Sequence, residues 1–260
     1  HSHSKAQYVN GVLGFLIIHD PKDLYIKDYD EEIIVILQNF YHTDSKILLA
    51  KFLTPESQGN EPIPDNSSDY VNNAPLAQFK FVQGKKYIIR IINTSAFSKF
   101  IFSIDDHPME VIEVEGMITK KYTVHHLPIN IAQQTACFAI PPDKLNPLIK
   151  AIVSYDGSNN EDPTSTAWTD NTENCVDLNT SDLKPYKLQK IPDADCKFNI
   201  IVDFHPDEKN ITLAFINNST YVIDEKYPTL YKMYDGVTKF ATNQNIFLVD
   251  HNKVVDIILI

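Results

Sequence analysis

KKYIIRIINTSAFSKFIFSIDDHPMEVIEVEG, residues 85–116, decides the architecture. Its first part alternates cleanly. Tyr87, Ile89 and Ile91 fall on one face of an extended chain, and Ile88, Arg90 and Ile92 on the other. SKFIFSID and MEVIEVEG follow as short strands at hairpin spacing, then PINIAQ. Upstream, EEIIVILQNFYH (31–42) is β-branched and aromatic and lacks helix caps. GFLIIHDP (14–21) reads as a buried strand closed by Asp20-Pro21. Residues 54–76 are a loop rich in Pro, Asn and Ser, and residues 137–194 are mostly turns around the strand LIKAIVSYDG. After PYKLQKIPDADC a new set begins: KFNIIVDF, ITLAFINNSTYVI, NIFLVD and KVVDIILI. A short helix is expected only around Tyr227–Tyr234. Strands recur without a βαβ pattern, so the fold class is all-β, a sandwich, with a second β domain restarting near residue 195.

The 260 residues have room for one large or two ordinary domains. With 43% hydrophobic and 22% charged residues the chain is globular rather than disordered. Net charge is −11 and there is no Lys/Arg run, which argues against a nucleic-acid partner. No apolar stretch approaches a membrane span. Asn66, Asn93, Asn179, Asn210, Asn217 and Asn218 open N-x-S/T sequons, and this density points to a glycosylated chain, secreted or at the cell surface. Three cysteines, Cys137, Cys175 and Cys196, fit one disulfide with one thiol left over, or three buried thiols. Nucleophile-elbow, phosphate-loop, zincin and dinucleotide motifs are absent.

Chemistry concentrates at the start, HSHSKAQYVNGVLGFL (1–16). His1 and His3 stand at i, i+2, the same side of an extended chain and about 7 Å apart along it. Neutral imidazole is a common ligand for copper and zinc, so the pair can reach one ion or two adjacent ones. A frayed terminus or tag remnant would look the same.

Several stretches together resemble the multicopper oxidases, the blue-copper group of laccases, ascorbate oxidases and fungal ferroxidases. HSHSKAQYVNGVLGFLIIHDP resembles the family's second histidine motif, an H-x-H pair in the segment that ends the first cupredoxin domain. Gln7, Gly11, Gly14, Ile17, Ile18 and Asp20 match, and Asn10 replaces an acidic residue. Arg90–Gly116 resembles the core of the second domain. INNSTYV and NIFLVDHNKVVDIILI resemble the opening of the third. The resemblance is collinear over nearly the whole chain. It implies cupredoxin-like Greek-key β-sandwich domains, here incomplete: residues 1–22 ending the first, 23–165 the second, 166–194 a linker, and 195–260 beginning the third.

The resemblance also implies copper, in type 1 and trinuclear sites, with His1 and His3 as ligands of the type 3 copper pair. It implies dioxygen as electron acceptor and a small phenolic-type reductant or ferrous iron as donor. The family's first histidine motif is expected before His1 and its last two after Ile260. No cysteine here is flanked by histidines, so a type 1 thiolate ligand is absent from this sequence. Gln133 runs directly into Gln134-Thr135, where relatives continue for about two more strands. The expectation is a central fragment, inactive alone. The rival expectation is a non-catalytic cupredoxin-like binding module.

The same comparison implies a Cys137–Cys175 disulfide and a role for Glu113 in binding ferrous iron. A solvated or hydrogen-bonded strand carboxylate is the plainer reading of Glu113. Glu115 is expected on the same face as Glu113. A second acid is expected near Asp203 or Asp207. His107 matches a structural turn histidine. The vicinal pair His125-His126 points opposite ways in a strand, and His19, His42, His205 and His251 show no ligand spacing. The acidic stretch Glu161–Glu173 lacks calcium-loop spacing.

Overall fold

The computed structural model describes residues 1–64, 69–131, 149–159, 161–169, 178–179 and 181–260. The chain divides into two compact units, His1–Ile47 with Ile63–Leu188, and Leu48–Pro62 with Gln189–Ile260.

The first unit is built on β1 (Glu31–Asn39). β1 pairs antiparallel with β2 (Asp69–Val71) and parallel with β4 (Tyr87–Asn93). Parallel pairing needs a long crossover, which residues 40–86 supply. β3 (Gln78–Phe81) pairs parallel with β9 (Ile152–Tyr155), and β5 (Phe100–Ser103) antiparallel with β8 (His126–Ile129). β6 (Met109–Val114) and β7 (Met117–Val124) form a hairpin. Register places Ile33 beside Ile89 and Val35 beside Ile91 on one face. That face packs into a core of Val35, Leu37, Val71, Ala77, Phe100 and Ile129, which makes the unit a β-sandwich. The alternation expected from residues 87–92 is the one observed.

A buried polar residue ties the layers. Asn39 closes β1 at 3% exposure. Its Nδ2 donates to Asp69 Oδ1 on β2 and to Ser98 Oγ at 2.8 Å. Its Oδ1 accepts the Phe97 and Ser98 amides at 3.2 and 2.8 Å. Every polar atom of the side chain is therefore satisfied, as burial demands. Burial holds the Asp69 carboxyl above its usual value, and the Asn39 hydrogen bond partly offsets this.

In the second unit β10 (Cys196–Ile200) pairs parallel with β13 (Val255–Leu259), and β11 (Val202–Pro206) pairs antiparallel with β12 (Thr212–Ile216). Asp207 Oδ1 shapes the β11–β12 turn by accepting the Lys209 and Ile211 amides, each at 2.9 Å.

Six expectations differ from the structure. The loop expected over 54–76 contains β2, which pairs with β1. GFLIIHDP is not a buried strand. Leu16 and Ile18 are 85% and 82% exposed, and among the described residues no strand edge pairs with the segment. Apolar residues alone do not make a strand without a ladder partner. NIFLVD is likewise no strand: it follows a 3₁₀ turn at Thr242–Gln244, with Asn245 at φ 47°. The helix expected near 227–234 is α2 (Thr229–Tyr234), but α1 (Ser45–Phe52) also exists. Asp44 Oδ1 accepts the Lys46 amide at 2.7 Å at its start, a cap visible in the sequence. β7 is a strand where the sequence pattern shows none. Glu115 (φ 51°) and Gly116 (φ 77°) form the two-residue turn into it, with Val114 opposite Met117. Glu115 is thus a turn residue and does not share a strand face with Glu113.

Candidate metal centre

The first thirteen residues fold as a compact loop. The Ser2 amide donates to Val12 O at 2.9 Å, and Ser2 Oγ donates to Gln7 Oε1 at 2.7 Å. Gln7–Asn10 form one 3₁₀ turn that ends at Gly11, whose φ of 89° is left-handed. Asn10 Oδ1 then accepts the Ser45 amide at 3.0 Å. This loop places the His1 and His3 rings 4.5 Å apart between centroids, tilted by 37°, with Tyr8 5.4 Å from His1. The two imidazoles expected on one side are therefore adjacent, through a loop rather than a strand. Both are exposed.

Two neighbouring imidazoles suit one copper ion or a share in two. Among the described residues no group of three His, Cys, Asp or Glu side chains converges as a metal site. The pair fits a two-nitrogen share of a copper centre and no more. A type 1 site does not fit: Cys196, half-buried on β10, has no flanking histidine.

The remaining sequence candidates lie apart from this pair. Glu113 Oε2 is 3.6 Å from Arg90 Nη1, and Arg90 Nε donates to Glu32 Oε2 at 3.0 Å. Glu113 is thus one of two carboxylates around a guanidinium. Asp203 Oδ1 accepts the Phe204 amide at 2.8 Å, and Asp207 is the turn residue described above. His107 lies in the turn Ile104–His107, hydrogen-bonded to Asp105 O and Tyr155 Oη. His125 stacks on Trp168 at 3.8 Å, His126 pairs with Ser103 in β8, His205 stacks on Phe215 at 3.7 Å, and His42 meets Phe40 edge-on. His19 and His251 are exposed.

Cys137, Cys175 and Asn66 lie outside the described residues, as does the expected gap near 133–135. Asn93 is taken by the fold. Its Nδ2 donates to Ser98 O at 2.9 Å and Ile129 O at 3.0 Å, so both amide hydrogens are used within the fold. Asn179 presents its Oδ1 to the Ser181 hydroxyl at 2.8 Å. Asn210, Asn217 and Asn218 occupy turns with φ of 62°, 49° and 64°. Two features escaped sequence reasoning: the Asn39 hub and the His107–Tyr155 hydrogen bond. Each joins residues far apart in the chain, and neither has a sequence signature.

A family model described as multicopper oxidase matches residues 31–168. The chain belongs to the multicopper oxidase family. Relatives include the iron transport multicopper oxidases FET3 of Gibberella zeae and Candida albicans. They are 28% and 30% identical over all of this chain, and the match spans 45% of each relative. This multicopper oxidase chain thus spans about half the length of the curated relatives it matches. The crystal structure of Fet3p, described as a multicopper oxidase that functions in iron import, superposes over the whole chain and 53% of its own. Its TM-score is 0.81 and identity 26%. The laccase of Botrytis aclada covers 94% of the chain and 49% of its own, with TM-score 0.73 and identity 26%. The sandwich is therefore cupredoxin-like, and the family is one of copper-dependent oxidoreductases.

Proposed function

We propose that this chain is the central part of a fungal copper oxidase that takes single electrons from ferrous iron and passes them to dioxygen, forming water. His1 and His3 are read as imidazole ligands of its type 3 copper pair. The observation that carries the reading is the adjacency of the two rings, 4.5 Å apart, at the head of a chain collinear with iron transport oxidases. Ferrous iron is preferred to a phenol because the similar curated proteins, 28–30% identical, are iron transport oxidases. Residues 1–22 are read as closing a first cupredoxin domain, 23–165 as the second, 166–194 as a linker and 195–260 as opening a third. A secreted or cell-surface location is favoured by the sequons that remain open to glycosylation. No helix among the described residues is long and apolar enough to cross a membrane. Glu113 ranks low as an iron ligand, because its carboxylate faces Arg90.

Two nitrogens hold copper(II) weakly and leave no route for electrons, so the chain alone binds copper without oxidase turnover. Equilibrium dialysis with copper(II), comparing the chain with a His1→Ala, His3→Ala variant, tests the ligand assignment. The expected result is binding that disappears in the variant, with imidazole nitrogen couplings in the EPR spectrum. Equal binding by both proteins would overturn it.

A further inference from the structure

We propose that Tyr155 and His107 form a proton-coupled one-electron redox pair, distinct from the copper ligands. His107 Nδ1 lies 2.7 Å from the carbonyl oxygen of Asp105. A carbonyl only accepts, so in the neutral ring Nδ1 carries the hydrogen and Nε2 keeps its lone pair. Tyr155 Oη is 2.6 Å from that Nε2, and the phenol therefore donates to a free imidazole base. The two ring planes are inclined by 21°, with centroids 6.0 Å apart.

The fold holds this arrangement from several sides. Tyr155 ends β9, in register with Phe81 of β3. His107 closes the turn from Ile104, with its amide donating to Ile104 O at 3.1 Å and Asp106 at φ 59°. Trp168 Nε1 donates to the same Ile104 carbonyl oxygen at 2.8 Å, and Ser165 Oγ donates to Asp105 Oδ2 at 3.1 Å. The turn that aims His107 is thus pinned by side chains about sixty positions away. Phe81 stands edge-on to both His107 and Tyr155 and stacks on Tyr87 at 4.6 Å. The four rings line an open groove, and Tyr155 is 39% exposed, so a small oxidant in solution can approach.

The step balances within the pair. A metal-complex oxidant in solution, such as a ruthenium(III) polypyridyl, takes one electron from the Tyr155 phenol and is itself reduced by one electron. The phenolic O–H bond breaks and its proton forms an N–H bond at His107 Nε2. The products are a neutral phenoxyl radical, an imidazolium still donating from Nδ1 to Asp105, and the reduced oxidant. Return of one electron sends the proton back. Without the imidazole the proton must leave to water, a far weaker base, and the oxidation is slower. Tyr227 also donates to a base, Asp235. Tyr155 differs from it in having a neutral imidazole nitrogen, and not a carboxylate, as its acceptor.

The test uses the copper-free chain and a photogenerated ruthenium(III) polypyridyl oxidant, so it is independent of the proposed copper chemistry. Tyrosyl radical formation is followed by transient absorption and EPR in the wild type, Tyr155→Phe and His107→Gln. The expected result is a fast radical phase with a solvent deuterium isotope effect, lost in Tyr155→Phe. In His107→Gln that phase slows about a hundredfold, the low end for a positioned base, and recovers on adding imidazole. Survival of the fast phase in Tyr155→Phe would overturn the proposal. So would a wild-type phase without an isotope effect, a reading that needs no variant to fold. An unchanged rate in a His107→Gln protein with native circular dichroism would do the same.

Discussion

Replacing Asn39 by alanine tests how the first unit is held together. The side chain makes four hydrogen bonds at 3% exposure. Alanine leaves the Ser98 amide, at a residue 5% exposed, without its acceptor. It also leaves the Asp69 carboxyl without the Asn39 amide. An orphaned buried polar group costs about 1–3 kcal/mol. The Ser98 amide bears that in full, while Phe97 and Asp69 are partly able to rehydrate, so the expected loss is about 2–4 kcal/mol. Urea unfolding followed by emission of Trp168, the single tryptophan, reads this unit because its indole is bonded to Ile104 O. The loss also depends on pH. Burial already raises the Asp69 pKa and the Asn39 bond lowers it, so removing Asn39 raises it further. A raised carboxyl binds a proton in the folded state before it does in the unfolded state. Stability therefore falls as pH rises from the unfolded value, about 3.9, through the folded one. The penalty of Asn39→Ala is then larger at neutral pH than near pH 4. A loss under about 0.5 kcal/mol, the range of ordinary surface changes, would refute the reasoning.

Asp69→Asn keeps an acceptor for the Asn39 amide and removes the buried charge, so stability at neutral pH rises and its acid-side pH dependence flattens; a urea series across pH reads both. Leu37→Ala empties a site 4% exposed in the core and costs about 3 kcal/mol, measured by the same urea unfolding. Gly59 has φ +76°, and an added Cβ would sit 2.8 Å from Thr212 Cγ2, so Gly59→Ala costs about 1–3 kcal/mol and speeds proteolysis within residues 189–260. Pairing it with Thr212→Ser removes the clashing methyl and restores part of the protease resistance. No restoration would point to backbone strain alone.

The amino-acid sequence by itself determined the fold class, the two-face alternation of residues 87–92, and the histidine pair. Period-2 patterning and short motifs are local, and local signals survive in one dimension. Sequence also carried the resemblance to multicopper oxidases, since collinear motifs need no coordinates. It failed where the outcome rests on a partner far along the chain. GFLIIHDP has the composition of a strand but pairs with no edge among the described residues, and β7 exists because Glu115 and Gly116 turn the chain back onto β6. Asn39 is one polar residue in an apolar run until Asp69 and Ser98 surround it. His107 is a turn residue until Tyr155, 48 positions away, brings its hydroxyl to the imidazole. The two histidines with a legible spacing, His1 and His3, are neighbours in sequence and in space. Their adjacency comes from a loop folded on Ser2, Gln7 and Val12, where extended geometry alone would have set them about 7 Å apart.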